Sequence, residues 1–380
     1  MRPSLPDSLV LARRAFLRGL GALGLSRLAY AEEGFLVQQG SVPQNLATPL
    51  TFFDRLLTPT PVFFVRSHFG PPALDRARKL TIDGLVKGQL TLSMDDLKAF
   101  PEVTLTSVLQ CAGNGRALMA PRVPGVQWGH GAMGQAAWTG VRLKDLLTRA
   151  GLAPEAAHVR LAGADLAPKP TVPAFVRSIP LSRALDPGTL VAYRMNGEPL
   201  TLAHGAPLRL VVPGWAGDHW IKWLVSLRVQ KEEAEGFYMQ TAYKFPTVPV
   251  VPGAAVPPAQ MKSMTTMPVK SLIARPAEGG RARVGPQEVV GVAFSGDAPL
   301  QGVEVSIDGG QTWRPAALEG EPGVGRWQVF RLKFEQRTPG RASAVARATD
   351  RQGNKQPEQA PWNPSGYFWN AWHKVSWEVS

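Results

Sequence analysis

The apolar and polar positions of this chain fall into two regimes. In the first, short β-like runs are interspersed with a few helical stretches. Leu80-Thr81-Ile82-Asp83-Gly84 alternates with the period of a strand and closes on a turn residue. Ser93-Met94-Asp95-Asp96-Leu97 predicts a helix start, with Ser93 as N-cap and Asp96 at the third helical position. Val141 to Leu147 spaces its apolar residues for a second helix, ended near Gly151. Leu208-Arg209-Leu210-Val211-Val212-Pro213 has the β-branched density of a buried strand. Strands and helices mix without a regular βαβ period, which predicts an α+β domain.

Pro246, Pro249, Pro252, Pro257, Pro258 and Pro268 then interrupt the pattern and favour extended backbone. Beyond them the pattern is all-β. Val303-Glu304-Val305-Ser306-Ile307 alternates, and Asp308-Gly309-Gly310 turns the chain towards Trp313. Trp327 to Leu332 is a further strand, and Ala342, Ala344 and Ala346 interleave with Ser343, Val345 and Arg347 as a weaker one. Several short strands at turn spacing predict a β-sandwich of the immunoglobulin type. The expected organisation is a first domain over 32–250, a proline-rich linker over 251–267 and a sandwich over 268–380.

Residues 1–31 are set aside from the fold. Arg13-Arg14 is followed by an apolar pair, a weakly hydrophobic Gly/Ala/Leu stretch and Ala29-Tyr30-Ala31. This resembles a twin-arginine (Tat) export signal, which implies a periplasmic protein exported folded, beginning at Glu32. The formal charge is +13; the five arginines of 1–31 against Asp7 account for four of these, leaving +9. The basic residues are dispersed and no nucleic-acid motif accompanies them, so a small anion or an acidic protein is the better-matched partner. No apolar run reaches the roughly 18 residues that span a bilayer. Hydrophobic residues at 44% and charged residues at 19% are an ordinary globular balance. The single cysteine, Cys111, excludes an intrachain disulfide and a multi-cysteine zinc site.

Cys111 opens the segment Leu109-Gln110-Cys111-Ala112-Gly113-Asn114-Gly115-Arg116. Two glycines let backbone approach a neighbour closely, and a cation five residues on favours thiolate. A buried structural cysteine is the plain alternative. The segment resembles the Cys-Ala-Gly-Asn-Arg-Arg loop of sulfite oxidases and of the molybdenum domain of plant nitrate reductases. Further blocks follow the same order: Phe63 to His68, Ala192 to Gly197, His204 to Arg209, Trp220 to Leu224, Ser306 to Gly310 and Asn370 to His373. The resemblance covers most of residues 35–380.

What the resemblance implies is a molybdenum-molybdopterin cofactor with Cys111 as the protein's ligand to the metal. It also implies that Phe64, Arg66, His68, Asp165, His204, Arg209 and Lys222 contact the pterin and its phosphate. Arg66 and Arg116 would bind the oxyanion beside His68, and Tyr243 would be a neutral donor. Guanidinium, imidazole and ammonium groups suit a phosphate. Alone, each has an ordinary reading: Arg209 a strand-face charge, His68 and His204 hydrogen-bonded histidines, Asp165 a turn residue, Tyr243 a packed strand tyrosine. The implied reaction is oxidation of sulfite, or a related small sulfur oxyanion, to sulfate. Two single-electron transfers to a separate acceptor, a c-type cytochrome, would follow. The chain has no Cys-X-X-Cys-His haem motif. A homodimer is implied by the second domain. Two positions depart from the pattern: Gly115 replaces the first arginine of the pair, and Ser365 stands where vertebrate sulfite oxidases have an arginine. The competing readings are a sulfane dehydrogenase subunit of a thiosulfate-oxidising complex and a non-catalytic exported binding or scaffold protein.

Overall fold

The computed structural model describes residues 36–41 and 43–380, so the Tat-like segment and Glu32 lie outside the described residues. Two five-stranded sheets build the N-terminal lobe. In one, Glu102–Gln110 and Met133–Arg142 form a long antiparallel pair, extended by Leu190–Met195 and by Arg209–Val211 and Glu198–Pro199 beside it. In the other, Leu224–Gln230 lies between Leu80–Gly84, to which it runs parallel, and His158–Gly163, to which it runs antiparallel. Leu90–Leu92 and Val176–Pro180 complete that sheet. The expected elements form where the pattern put them. Met94–Lys98 is a helix with a reciprocal capping box between Ser93 and Asp96. Leu143–Ala150 is a helix that buries Leu143, Leu146, Leu147 and Ala150 and ends at Gly151. Strands dominate, and the described α-helices are few and short.

The C-terminal lobe has a four-stranded and a five-stranded sheet. Lys270–Arg275, Gly285–Phe294, Gln328–Gln336 and Ala317–Glu319 form the first; Gly280–Ala282, His373–Val379, Gly340–Asp350, Leu300–Ser306 and Arg314–Pro315 form the second. Their inner faces share a core that includes Val303, Val305, Phe330, Ala344 and Trp377. The alanine-rich run, the weaker expectation, is the eleven-residue strand Gly340–Asp350, whose small side chains fit between two sheets. The Asp308 turn is tied by its carboxylate, which accepts from the Gln311 and Thr312 amides.

The proline-rich segment folds back on itself. Lys244–Pro246 pairs with Met261–Ser263, and Met264 and Met267 are buried. They belong to a third core that joins the lobes: Val108, Ala112 and Met133 pack with Leu272, Val292, Phe294 and Trp327. Residues of the C-terminal lobe therefore reach the Cys111 loop. No described helix is long and apolar enough to cross a membrane.

Candidate active site

Strand Glu102–Gln110 delivers Cys111 to the end of a sheet, where its amide donates to the Ala132 carbonyl at 2.9 Å. Asn114 locks the loop: its Oδ1 accepts from the Ala132 amide at 3.0 Å and its Nδ2 donates to Gln110 Oε1 at 3.0 Å. Gly115 has φ +92°, and a Cβ there would lie 2.7 Å from that of Trp369. The departure at 115 is thus built in: Trp369 of the C-terminal lobe fills the space a side chain would need.

Cys111 lies on the wall of a cavity of about 750 Å³, open mouth included. Beside it stand Arg66, His68 and Tyr243. Arg66 Nη2 lies 3.3 Å from His68 Nδ1, and His68 Nε2 lies 2.5 Å from the Tyr243 hydroxyl. A guanidinium only donates, so His68 Nδ1 accepts and Nε2 carries the proton. His68 therefore donates to Tyr243, and the phenolic proton is free to point into the cavity. Burial first, then Arg66, pushes the His68 pKa down to about 3, which keeps the ring neutral. Burial also holds the Tyr243 phenol well above its ordinary value, so it stays a donor. His68 is stacked on Phe175 with centroids 4.6 Å apart and lies 4.7 Å from Tyr238.

The other end of the cavity is cationic. Arg209 is buried and Lys222 half-buried; both donate to protein oxygens rather than to a carboxylate, and Asp165, on the same cavity wall, is the acidic group that acts on Lys222. Arg209 donates to the His204 and Trp220 carbonyls, its Nε has no partner, and its guanidinium lies 4.7 Å over Trp138. Lys222 donates to Ser67 Oγ at 2.7 Å and the Ala203 carbonyl at 3.0 Å. Burial lowers the Arg209 pKa to about 9; burial and then Arg209 lower that of Lys222 to about 7. Two neighbouring cations with a single carboxylate, Asp165, acting on one of them are costly unless a further anion joins them. A phosphate meets that need, and Asp165, Phe64 and the backbone offer the polar edge and aromatic wall a pterin takes. Among the described residues no cluster of three or more His, Cys, Asp or Glu stands ready to hold a metal, and a metal at Cys111 would need ligands beyond such a cluster. The residues present fit a molybdopterin.

The structure qualifies two of the expected roles. His204 lines the cavity, but both ring nitrogens are engaged, Nδ1 with Thr201 at 2.8 Å and Nε2 with the Phe63 carbonyl at 3.3 Å. Arg116 does not line the cavity. Its Nε donates to the Ser365 carbonyl at 2.9 Å and its Nη1 to the Val126 carbonyl at 3.0 Å. The side chain has turned to the C-terminal lobe, where Ser365 supplies backbone rather than a cation. Sequence reasoning missed a buried group: Arg177 Nη2 lies 2.7 Å from Asp218 Oδ2 and 3.0 Å from His219 Nε2, and Asp218 lines the cavity. The one sequence signal for it was Asp218-His219, directly ahead of Trp220.

Residues 68–238 match the oxidoreductase molybdopterin binding domain, and residues 261–380 match the Mo-co oxidoreductase dimerisation domain. The sulfite oxidase of Arabidopsis thaliana is 33% identical over 84% of this chain and 87% of its own length. The chain belongs to the sulfite oxidase family. Mitochondrial sulfite oxidase of Mus musculus is 40% identical over 87% of this chain, but the match spans 63% of the mouse protein. The chain thus spans less than two thirds of the length of such mitochondrial relatives. Among solved structures, the sulfane dehydrogenase SoxCD from Paracoccus pantotrophus superposes with a TM-score of 0.76 at 27% identity, covering 94% of this chain and 88% of that one.

Proposed function

We infer that this chain is a molybdenum oxidoreductase that converts sulfite and water to sulfate, two protons and two electrons. The observation that carries the reading is the shared cavity of Cys111, the Arg66–His68–Tyr243 chain and the neighbouring cations Arg209 and Lys222. Arg209, Lys222, Asp165 and Phe64 would hold a molybdopterin, with Cys111 toward its metal, and that group would supply the two-electron oxidation and the oxygen transfer. Arg66 attracts the oxyanion into a partly dry site, and the Tyr243 hydroxyl donates to one of its oxygens. His68 holds that hydroxyl in place. The electrons leave to a separate protein, for which an exported c-type cytochrome is our candidate.

The wider reading is a Tat-exported periplasmic protein with a signal over 1–31. A catalytic domain over 32–250 and a linker over 251–267 would lead to an immunoglobulin-like sandwich over 268–380. The match to a dimerisation domain supports a homodimer. A second reading, oxidation of a sulfane sulfur, is favoured by the likeness to the Paracoccus enzyme and by the withdrawal of Arg116 from the cavity. The deciding experiment loads the protein in a host that makes molybdopterin and assays sulfite-dependent ferricyanide reduction, with Cys111→Ser alongside. Rapid turnover lost in the variant supports sulfite oxidation. A molybdenum-loaded wild type that ignores sulfite removes that substrate and leaves the sulfane reading.

A further inference from the structure

Four side chains from distant parts of the chain touch in succession beside the cavity. The Arg177 guanidinium is 5.3 Å from the Tyr243 ring centroid. The Tyr243 and Tyr367 rings are stacked, 5.4 Å apart and 8° from parallel. The Arg116 guanidinium is 5.2 Å from the Tyr367 ring centroid. Both ends of this row are fixed. Arg177 is fully buried, paired with Asp218 at 2.7 Å and donating to the Tyr238 carbonyl. Arg116 is buried and held by the Ser365 and Val126 carbonyls. A cation over a ring is attracted by the ring's quadrupole, and offset rings attract one another.

We propose that these residues form a cation–ring–ring–cation stack in which Tyr367, from the C-terminal lobe, is the positioning residue for Tyr243. Tyr243 needs such support. Its backbone has φ +56°, a region that a non-glycine residue occupies only when its surroundings hold it there. Its hydroxyl is tied by one short bond to His68, which fixes the tip of the ring but not its plane. Tyr367 covers one face, and Arg177 approaches the ring as well. The stack also gives Arg116 a role in the site without contact with the oxyanion: it anchors Tyr367. The C-terminal lobe is then part of the active site. The inference rests on reading Tyr243 as the donor to the sulfur oxyanion.

The test uses the molybdenum-loaded full chain and three variants: Tyr367→Leu, Tyr367→Phe and Tyr367→Met. The sequence has five tyrosines, so ring-labelled tyrosine gives a magnetic resonance spectrum assignable by single substitutions. In the wild type, the ring signals of Tyr243 should be shifted upfield by the stacked Tyr367 ring. Tyr367→Leu should move them towards the positions of an unstacked tyrosine, while Tyr367→Phe leaves them near the wild-type positions. With sulfite as substrate, Tyr367→Leu should lower kcat/KM about ten- to a hundredfold at unchanged molybdenum content, because the donor loses its aim. Tyr367→Phe, which keeps the ring face, should stay within about threefold of wild type. Should Tyr367→Leu not fold, Tyr367→Met supplies similar bulk without a ring and carries the same expectation. Tyr243 signals that stay in place in the ring-less variant overturn the proposal. So does an equal loss of kcat/KM in the Phe and Leu variants. If the loaded wild type does not oxidise sulfite, the function fails, but the resonance comparison still decides the stack.

Discussion

At the scale of single residues, the site turns on which atom owns which proton. Arg66 can only donate, and this one fact fixes the His68 tautomer and frees the Tyr243 proton. Tyr243→Phe should therefore keep its molybdenum but lose about ten- to a hundredfold in kcat/KM, the usual worth of one aimed donor in a dry site. A variant as fast as wild type would show that the hydroxyl does not act. The depressed His68 pKa has a second consequence. With a pKa of about 3 the ring is neutral throughout the physiological range, so it contributes no limb to the rate profile above pH 5. Plots of kcat/KM against pH for wild type and His68→Gln should keep the same shape between pH 5 and 8, displaced in height alone. Most of these residues were legible in the sequence because they sit in short ordered blocks. Arg116 was misplaced because nearness in sequence to Cys111 says nothing about direction. Its guanidinium occupies the space where a Cβ on Gly113 would be, at 2.7 Å, and runs on to Ser365.

At the scale of elements, local rules were readable and long-range partnerships were not. The Ser93–Asp96 capping box followed from four consecutive residues and is present in both directions. Ser93→Ala should cost about 1 kcal/mol of stability, seen as a lowered denaturant midpoint with an unchanged slope. The helix Leu143–Ala150 was legible from its period, and Leu147 is fully buried on its inner face. Leu147→Ala should cost about 2–5 kcal/mol by transfer and cavity terms together, and a loss under 1 kcal/mol would show that this face is loosely packed. By contrast, the pairing of Arg177 with Asp218 links strand Val176–Pro180 to the turn Gly217–His219, across sequence with no shared pattern. In sequence, Arg177 reads as one more strand charge and Tyr367 as one more loop aromatic. Only the fold puts the two beside Tyr243. The same limit explains the proline-rich segment: its residues predicted extension, while the return pairing of Lys244–Pro246 with Met261–Ser263 depends on what Met264 and Met267 bury.

For the whole molecule, several bases whose burial outweighs the pull of nearby carboxylates make stability depend on pH in a direction that can be worked out. Lys222 and Lys270 have pKa values of about 7 in the fold, below the ordinary 10.5, both chiefly through burial. Between pH 7 and 10.5 the unfolded chain therefore holds more protons than the folded one, and stability rises with pH through that window. His68, at about 3, and His204 and His373, each at about 4, act in the same sense between those values and 6.5. The cofactor-free protein should then gain stability from pH 5 to 9, by an amount on the order of a few kcal/mol. An anion beside Lys222 and Arg209 removes part of this slope, because it stabilises the charged lysine. Urea midpoints of the cofactor-free chain at pH 5, 7 and 9 measure the first effect, and added inorganic phosphate measures the second. Phosphate should raise the midpoint most at pH 7 and below, and Lys222→Met should lose that response while keeping the alkaline gain due to Lys270. A midpoint that does not rise between pH 7 and 9 would mean that partners or water keep the two lysines charged in the fold. A phosphate response that survives in Lys222→Met would move the anion site away from the cationic end of the cavity, and with it the case for a phosphate-bearing cofactor there.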